Sequence, residues 1–150
     1  MPQRRDHDPI PGFRFLIEYG QEARAYFGEC TGLKTEIEVF EYQEGGENDF
    51  VHKLPGRRKW SNIVLKRGLM LSEDLWKWYL KVVAGQTGMR RNISIILIDE
   101  TVQSGIRWEV TDAFPLRWEG PALKAASSTI PIETLEIAHH GFTIVKFSEL

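Results

Sequence analysis

Apolar residues in this chain recur mostly at every second position over short runs. That period confines each run to an extended strand with one face turned inward. Phe13, Phe15, Ile17 and Tyr19 alternate with Arg14, Leu16 and Glu18. In 34–42, Thr35, Ile37 and Val39 alternate with Glu36, Glu38 and Phe40, so one face is expected to seek a core while the other carries two carboxylates. Strands are also expected at 25–30, as a hairpin partner of 13–19 across Gly20 and Gln21, and at 59–66, 92–99, 106–111 and 114–119. A run at 130–139, with Ile132, Leu135 and Ile137 as its apolar positions, closes the set. In 92–98 isoleucine and leucine fall on both faces, which predicts a strand covered on both sides, by the core on one and by a helix on the other.

That helix is the only one the pattern supplies. Ser72 is placed to cap it, Glu73 and Asp74 sit where the helix dipole favours negative charge, and Gly85 stands just past its end. Between them Leu75, Trp76, Tyr79, Leu80 and Val83 recur at helical spacing, a stripe that must pack on a sheet. The expected fold is mainly β: a small antiparallel β-barrel or sandwich with one packed α-helix at about residues 72–84. Residues 1–12, polar and marked by prolines, read as a flexible N-terminal arm, and 13–150 as a single β domain.

Charge and cysteine usage narrow the function classes. Nineteen basic residues are matched by 21 acidic ones, for a formal net charge of −2, so there is no electrostatic footprint for stable nucleic-acid binding. The single cysteine, Cys30, has no partner for an internal disulfide, which fits folding in a reducing compartment. No apolar run approaches the roughly 18 residues needed to cross a bilayer. The basic start is followed by Asp6, His7, Asp8 and two prolines rather than a signal-peptide core, so export is not expected to use the general secretory route.

Catalytic chemistry is not legible. His139 and His140 are adjacent and, on a strand, point to opposite faces; His7 and His52 have no neighbouring ligand set. Glu36 with Glu38, and Glu133 with Glu136, could form acid/base pairs, yet carboxylates so spaced on a half-exposed strand are ordinarily a solvated face. Cys30 reads as a small buried residue. The basic runs Arg57-Arg58-Lys59-Trp60 and Arg90-Arg91 read as solvated turns or protein contacts, and the glycines match no phosphate-binding loop. No catalytic, metal or cofactor-binding residue is assigned.

What remains is the segment 41–68. It runs from a strand end through Glu44-Gly45-Gly46, a long polar excursion and the break Leu54-Pro55-Gly56 into a new strand. A long excursion without catalytic residues ordinarily touches another protein. The segment, with Lys53, Lys59 and the run Asn62-Ile63-Val64-Leu65-Lys66-Arg67-Gly68, resembles the tail-tube proteins of contractile phages and phage-derived contractile injection systems. The same resemblance is carried by Phe27 through Leu33 leading into Glu36-Ile37-Glu38, by Arg107-Trp108, by Asp112-Ala113-Phe114-Pro115, by Trp118-Glu119-Gly120-Pro121, and by Ile132 through His139.

The resemblance implies a structural, non-enzymatic subunit. It implies hexameric rings of this chain, stacked into an inner tube that a contracting sheath drives through a target envelope. Its implied partners are further copies, sheath and baseplate proteins, and luminal cargo or phage DNA in transit. It implies assembly in the bacterial cytoplasm and work in a phage tail or a released or cell-anchored injection particle. Under it, Glu36 and Glu38 become candidates for the lumen, and Glu44, Gly45, Gly46, Asp49, Lys53, Leu54, Pro55, Gly56, Arg57 and Arg58 for contacts between subunits or rings. The competing readings are a haemolysin-coregulated-type tube protein of type VI secretion, a monomeric β-sandwich binding carbohydrate or a protein ligand, and a small β-barrel enzyme.

Overall fold

A computed structural model describes residues 14–19, 23–43, 45–46, 51–69, 72–99, 104–126 and 128–148. The proposed arm at 1–12, the turn at Gly20 and Gln21, and the candidates Glu44 and Asp49 lie outside the described residues. Among the described residues, ten strands and one helix follow in the order β1 (Arg14–Tyr19), β2 (Ala23–Tyr26), β3 (Glu29–Thr31), β4 (Thr35–Tyr42), β5 (His52–Trp60), β6 (Ile63–Gly68), α1 (Asp74–Val83), β7 (Arg91–Asp99), β8 (Ser104–Glu119), β9 (Ile132–Ala138) and β10 (Phe142–Ser148). All pairings are antiparallel.

The body is an eight-stranded sheet organised by β8. Its first half, Ser104 to Val110, pairs with β7 on one side and β10 on the other; its second half pairs with β9. The sheet order β2-β1-β7-β8-β9-β6-β3 therefore changes partner along one strand. The sequence reading expected two strands here, at 106–111 and 114–119. The structure has one continuous strand, because Asp112 takes φ 51° instead of breaking the chain, and Asn92 Oδ1 accepts a hydrogen bond from its N–H. Opposite this bend the edge changes strand as well, from β9 to β10, around Gly141. Strand β10 was not expected from the sequence: its apolar residues change face midway, from Phe142 and Ile144 on one to Val145 and Phe147 on the other, so no single inward face stands out.

The core forms where the two halves of the sheet and the helix meet. Ile17 and Tyr19, Ile93 and Ile95, Val110 and Ala113, Ile63 and Leu65, Leu135 and Ile137, and Leu75 and Trp78 are buried in a single cluster. Ile96, on the other face of β7, is buried outside it, beside its cross-strand partner Leu16. Strand β7 is thus covered on both faces as expected, but the helix lies on the same face as the core, not on the opposite one. The expected hairpin partner 25–30 divides: Ala23–Tyr26 pairs with β1, whereas Glu29–Thr31 pairs with β6.

Helix α1 ends as its sequence dictates. Gly85 takes φ 64°, and Gly85 N–H and Gln86 N–H donate to the carbonyls of Val82 and Lys81, closing the last turn. Its start is different. Glu73 holds the cap position without a side-chain bond, and Ser72 Oγ donates to Asp74 Oδ1 instead.

Candidate assembly interface

Strands β4 and β5 form a separate two-stranded sheet. Every residue of β4 is exposed, and β5 is exposed except at its two ends. This corrects two expectations. The run 43–58 is not one long loop, since β5 occupies its second half. Nor does either face of β4 find a core in this protomer: Ile37 is 53%, Val39 59% and Phe40 61% exposed. Alternation was a valid sign of a strand, but not of burial within the same chain.

Leu54-Pro55-Gly56 sits inside β5. The pairing slips between Ile37↔Arg58 and Val39↔Pro55, and a bulge of this kind is one of the places in a sheet that tolerate proline. A side chain at Gly56 would lie 2.9 Å from the Glu38 carbonyl, so the bulge needs glycine there. Alternation then sorts the ribbon into two faces. Thr35, Ile37 and Val39 share one with Arg58 and Trp60; Glu36, Glu38, Phe40 and Tyr42 share the other with Lys59, Leu54 and His52. The second face is charged near the body, where Lys59 Nζ stands 2.7 Å from Glu38 Oε1, and apolar farther out. That hydrogen bond and its charge hold the Lys59 ammonium above the ordinary lysine range. On the first face Arg58 Nε donates to Thr35 Oγ1 at 3.1 Å, and its guanidinium lies 4.0 Å over the Trp60 ring.

The candidates Lys53, Leu54, Pro55, Gly56, Arg57 and Arg58 therefore lie together on β5, across the ribbon from Ile37 through Glu41 on β4, with Glu38 in the bulge beside Gly56 and Glu36 one step farther along, opposite Lys59. Gly45 and Gly46 are exposed, beyond the end of β4.

Within the body, polar residues do structural work that the sequence did not reveal. Arg67 and Glu133 are each only 4% exposed. Arg67 Nε donates to Glu133 Oε1 and Arg67 Nη2 to Asp74 Oδ1, both at 2.5 Å. Trp118 Nε1 donates to Glu133 Oε2 at 3.3 Å, and Tyr19 donates its hydroxyl proton to Asp74. One cation thus ties the start of α1 to β6 and β9. Burial, and then the Glu133 charge, push the Asp74 carboxyl upward, against backbone N–H donation at Leu75 and Asp74 that favours the carboxylate. Glu133 is not part of a solvated face. The clue was in β9, where the inward register that buries Leu135 and Ile137 runs through Glu133 and leaves Ile132 47% exposed.

The remaining polar candidates have ordinary partners. His139 Nε2 donates to the Ser61 carbonyl and its Nδ1 accepts from Gly141 N–H. His140 Nδ1 lies 3.1 Å from Asp112 Oδ2 and its Nε2 3.2 Å from Arg90. Burial pushes the Cys30 thiol up to about 11, which suppresses its thiolate at neutral pH. Among the described residues no group of histidine, cysteine, aspartate or glutamate is arranged to hold a metal ion, and no helix is long and apolar enough to cross a membrane.

The described residues thus form a body with its own core and, beside it, a two-stranded ribbon with exposed apolar side chains. Residues 11–143 match the sequence profile of the T4-like virus tail tube protein gp19 family. The chain belongs to that family. No curated protein matches the sequence.

Solved structures extend the likeness to the whole fold. A chain of an extracellular contractile injection system, the PVC sheath–tube complex in its extended state, is similar with 25% identity and a TM-score of 0.80, covering 95% of both chains. A chain of the anti-feeding prophage cap, which terminates the tube, is similar with 26% identity and a TM-score of 0.82, covering 97% of both. Hcp1 from Flavobacterium johnsoniae, at 11% identity and a TM-score of 0.55 over 91% of this chain and 99% of its own, shares the fold alone. The protein is a structural tail-tube protein of the kind found in contractile injection systems, and the type VI likeness is the weaker one.

Proposed function

We propose that this tail-tube protein closes into hexameric rings that stack into a rigid hollow tube, and that it acts without catalysis. The observation that carries the reading is the β4–β5 ribbon, which exposes Ile37, Val39, Phe40, Tyr42 and Leu54 and pairs only with itself. Free strand edges beside apolar side chains are a liability in a monomer, and lateral pairing around a closed ring removes it.

In this arrangement the ribbon enters the ring wall. Glu36 and Glu38, on the charged part of one face, line the wet lumen. Phe40, Tyr42 and Leu54, farther out on the same face, are covered by the next subunit. Lys53, Pro55, Gly56, Arg57 and Arg58 meet neighbouring chains, and Glu44, Gly45, Gly46 and Asp49 reach the adjacent ring, where charge sets the register. Sheath and baseplate proteins bind outside the tube, in keeping with the sheath–tube and baseplate assemblies that contain its structural neighbours. Cargo or phage DNA passes through without stable binding. Assembly takes place in the bacterial cytoplasm.

Negative-stain electron microscopy of the purified protein, with its mass measured in solution, tests this. Six-fold rings or stacked tubes are expected. A strict monomer at high concentration, even with baseplate present to nucleate assembly, would sink the reading in favour of a binding module.

A further inference from the structure

The ribbon would be poorly aimed if only its own ladder held it, because a two-stranded sheet in water is marginal. Trp60, the last residue of β5, packs against the body. The indole meets the His139 ring edge-on at 5.8 Å and the Phe142 ring at 4.8 Å. A side chain at Gly141 would lie 2.9 Å from both Trp60 Cε2 and Cζ2, and Gly141 has φ 125°. The Trp60 ring therefore rests directly on glycine backbone.

The backbone around it is equally close. Ser61 N–H donates to the Lys34 carbonyl, joining the roots of β4 and β5, and His139 bridges the Ser61 carbonyl to Gly141 N–H. Gly32, with φ 92°, approaches so near that an added Cβ would lie 2.0 Å from the Asn62 carbonyl oxygen. Glycines thus stand on either side of the ribbon's root, each where a side chain would force the root away.

We infer that Trp60, seated on Gly141 between His139 and Phe142, is a joint that fixes the angle at which β4–β5 leaves the body and so aims the ribbon at a second copy of this chain. The second clause rests on the ring assembly proposed above; the joint itself does not. In a closed ring an angular error in each protomer accumulates around the symmetry axis, and a loose ribbon must be ordered at the expense of affinity. Trp60 is a positioning residue: it acts through the direction of the ribbon.

The test reads the angle in dilute, unassembled protein. Spin labels at Lys53→Cys on the ribbon and Lys77→Cys on the helix, in a Cys30→Ala background, give one narrow distance in the otherwise native chain. Trp60→Ala broadens it and abolishes ring formation, and Trp60→Phe restores both. Leu135→Ala, which removes core packing away from the joint, lowers thermal stability yet keeps the narrow distance. Gly141→Ala, a second variant should Trp60→Ala not fold, shifts the distance. An unchanged narrow distance in Trp60→Ala or in Gly141→Ala overturns the joint. A joint that behaves as described in a protein that never forms rings leaves the joint standing and overturns the assembly.

Discussion

The body and the ribbon are both antiparallel sheet, yet they obtain their stability from different sources. In the body, Leu135, Ile137, Ile63 and Leu65 are fully buried, and even the cation Arg67 is enclosed by carboxylates. In the ribbon, residues of similar apolarity, Ile37 and Val39, are more than half exposed. Alternation thus identifies a strand without saying whose core will cover it. A strand of a subunit can keep its apolar face for a neighbour, and the family to which this chain belongs is one of tube-building subunits.

Substitutions should separate the two regions sharply. The largest effect is expected in the buried ion cluster. Glu133→Ala leaves Arg67 enclosed with only Asp74, and a loss of about 3–5 kcal/mol in chemical denaturation is expected. A loss below about 1 kcal/mol would mean that water reaches the cluster. Leu135→Ala comes next, at about 2–5 kcal/mol by the same measurement. In the ribbon, Phe40→Ser should change protomer stability by no more than about 0.5 kcal/mol while preventing ring formation in electron micrographs. Equal losses from Phe40→Ser and Leu135→Ala would erase the distinction between the regions.

Two smaller effects sharpen it. Glu36→Gln together with Glu38→Gln should leave rings intact if these carboxylates face a wet lumen; collapse of assembly would put them in the subunit interface. The half-buried Cys30 thiol should alkylate slowly at pH 8 in folded protein and rapidly in denaturant. Its pKa is raised on folding from 9.0 to about 11, so its contribution to stability is complete below pH 9 and fades as pH climbs through 11. Rapid native labelling would show the β3–β6 edge opening.

Local signals carried much of the architecture. Phe15, Ile17 and Tyr19 follow the inward face that alternation set, and Gly85 ends the helix as its freedom to adopt positive φ allows. The order of motifs from Phe27 through His139 was enough to indicate the family. Pairing over long sequence separation was not legible. Arg67, Asp74 and Glu133 look like three surface charges until β6, β9 and α1 come together, because burial of a charge depends on partners distant in the chain. Strand β5 was hidden by Pro55 and Gly56, which disfavour a central strand but suit the bulge of a two-stranded ribbon.

The sequence by itself determined that this chain builds antiparallel strands and one helix ended by a glycine, since period and turn residues act over a few positions. Only the tertiary structure decided that β8 would bend at Asp112 to serve both halves of the sheet, that three charges would share one buried site, and that β4–β5 would remain outside the core. Those outcomes depend on which distant segments exclude water from one another, and no local pattern records that.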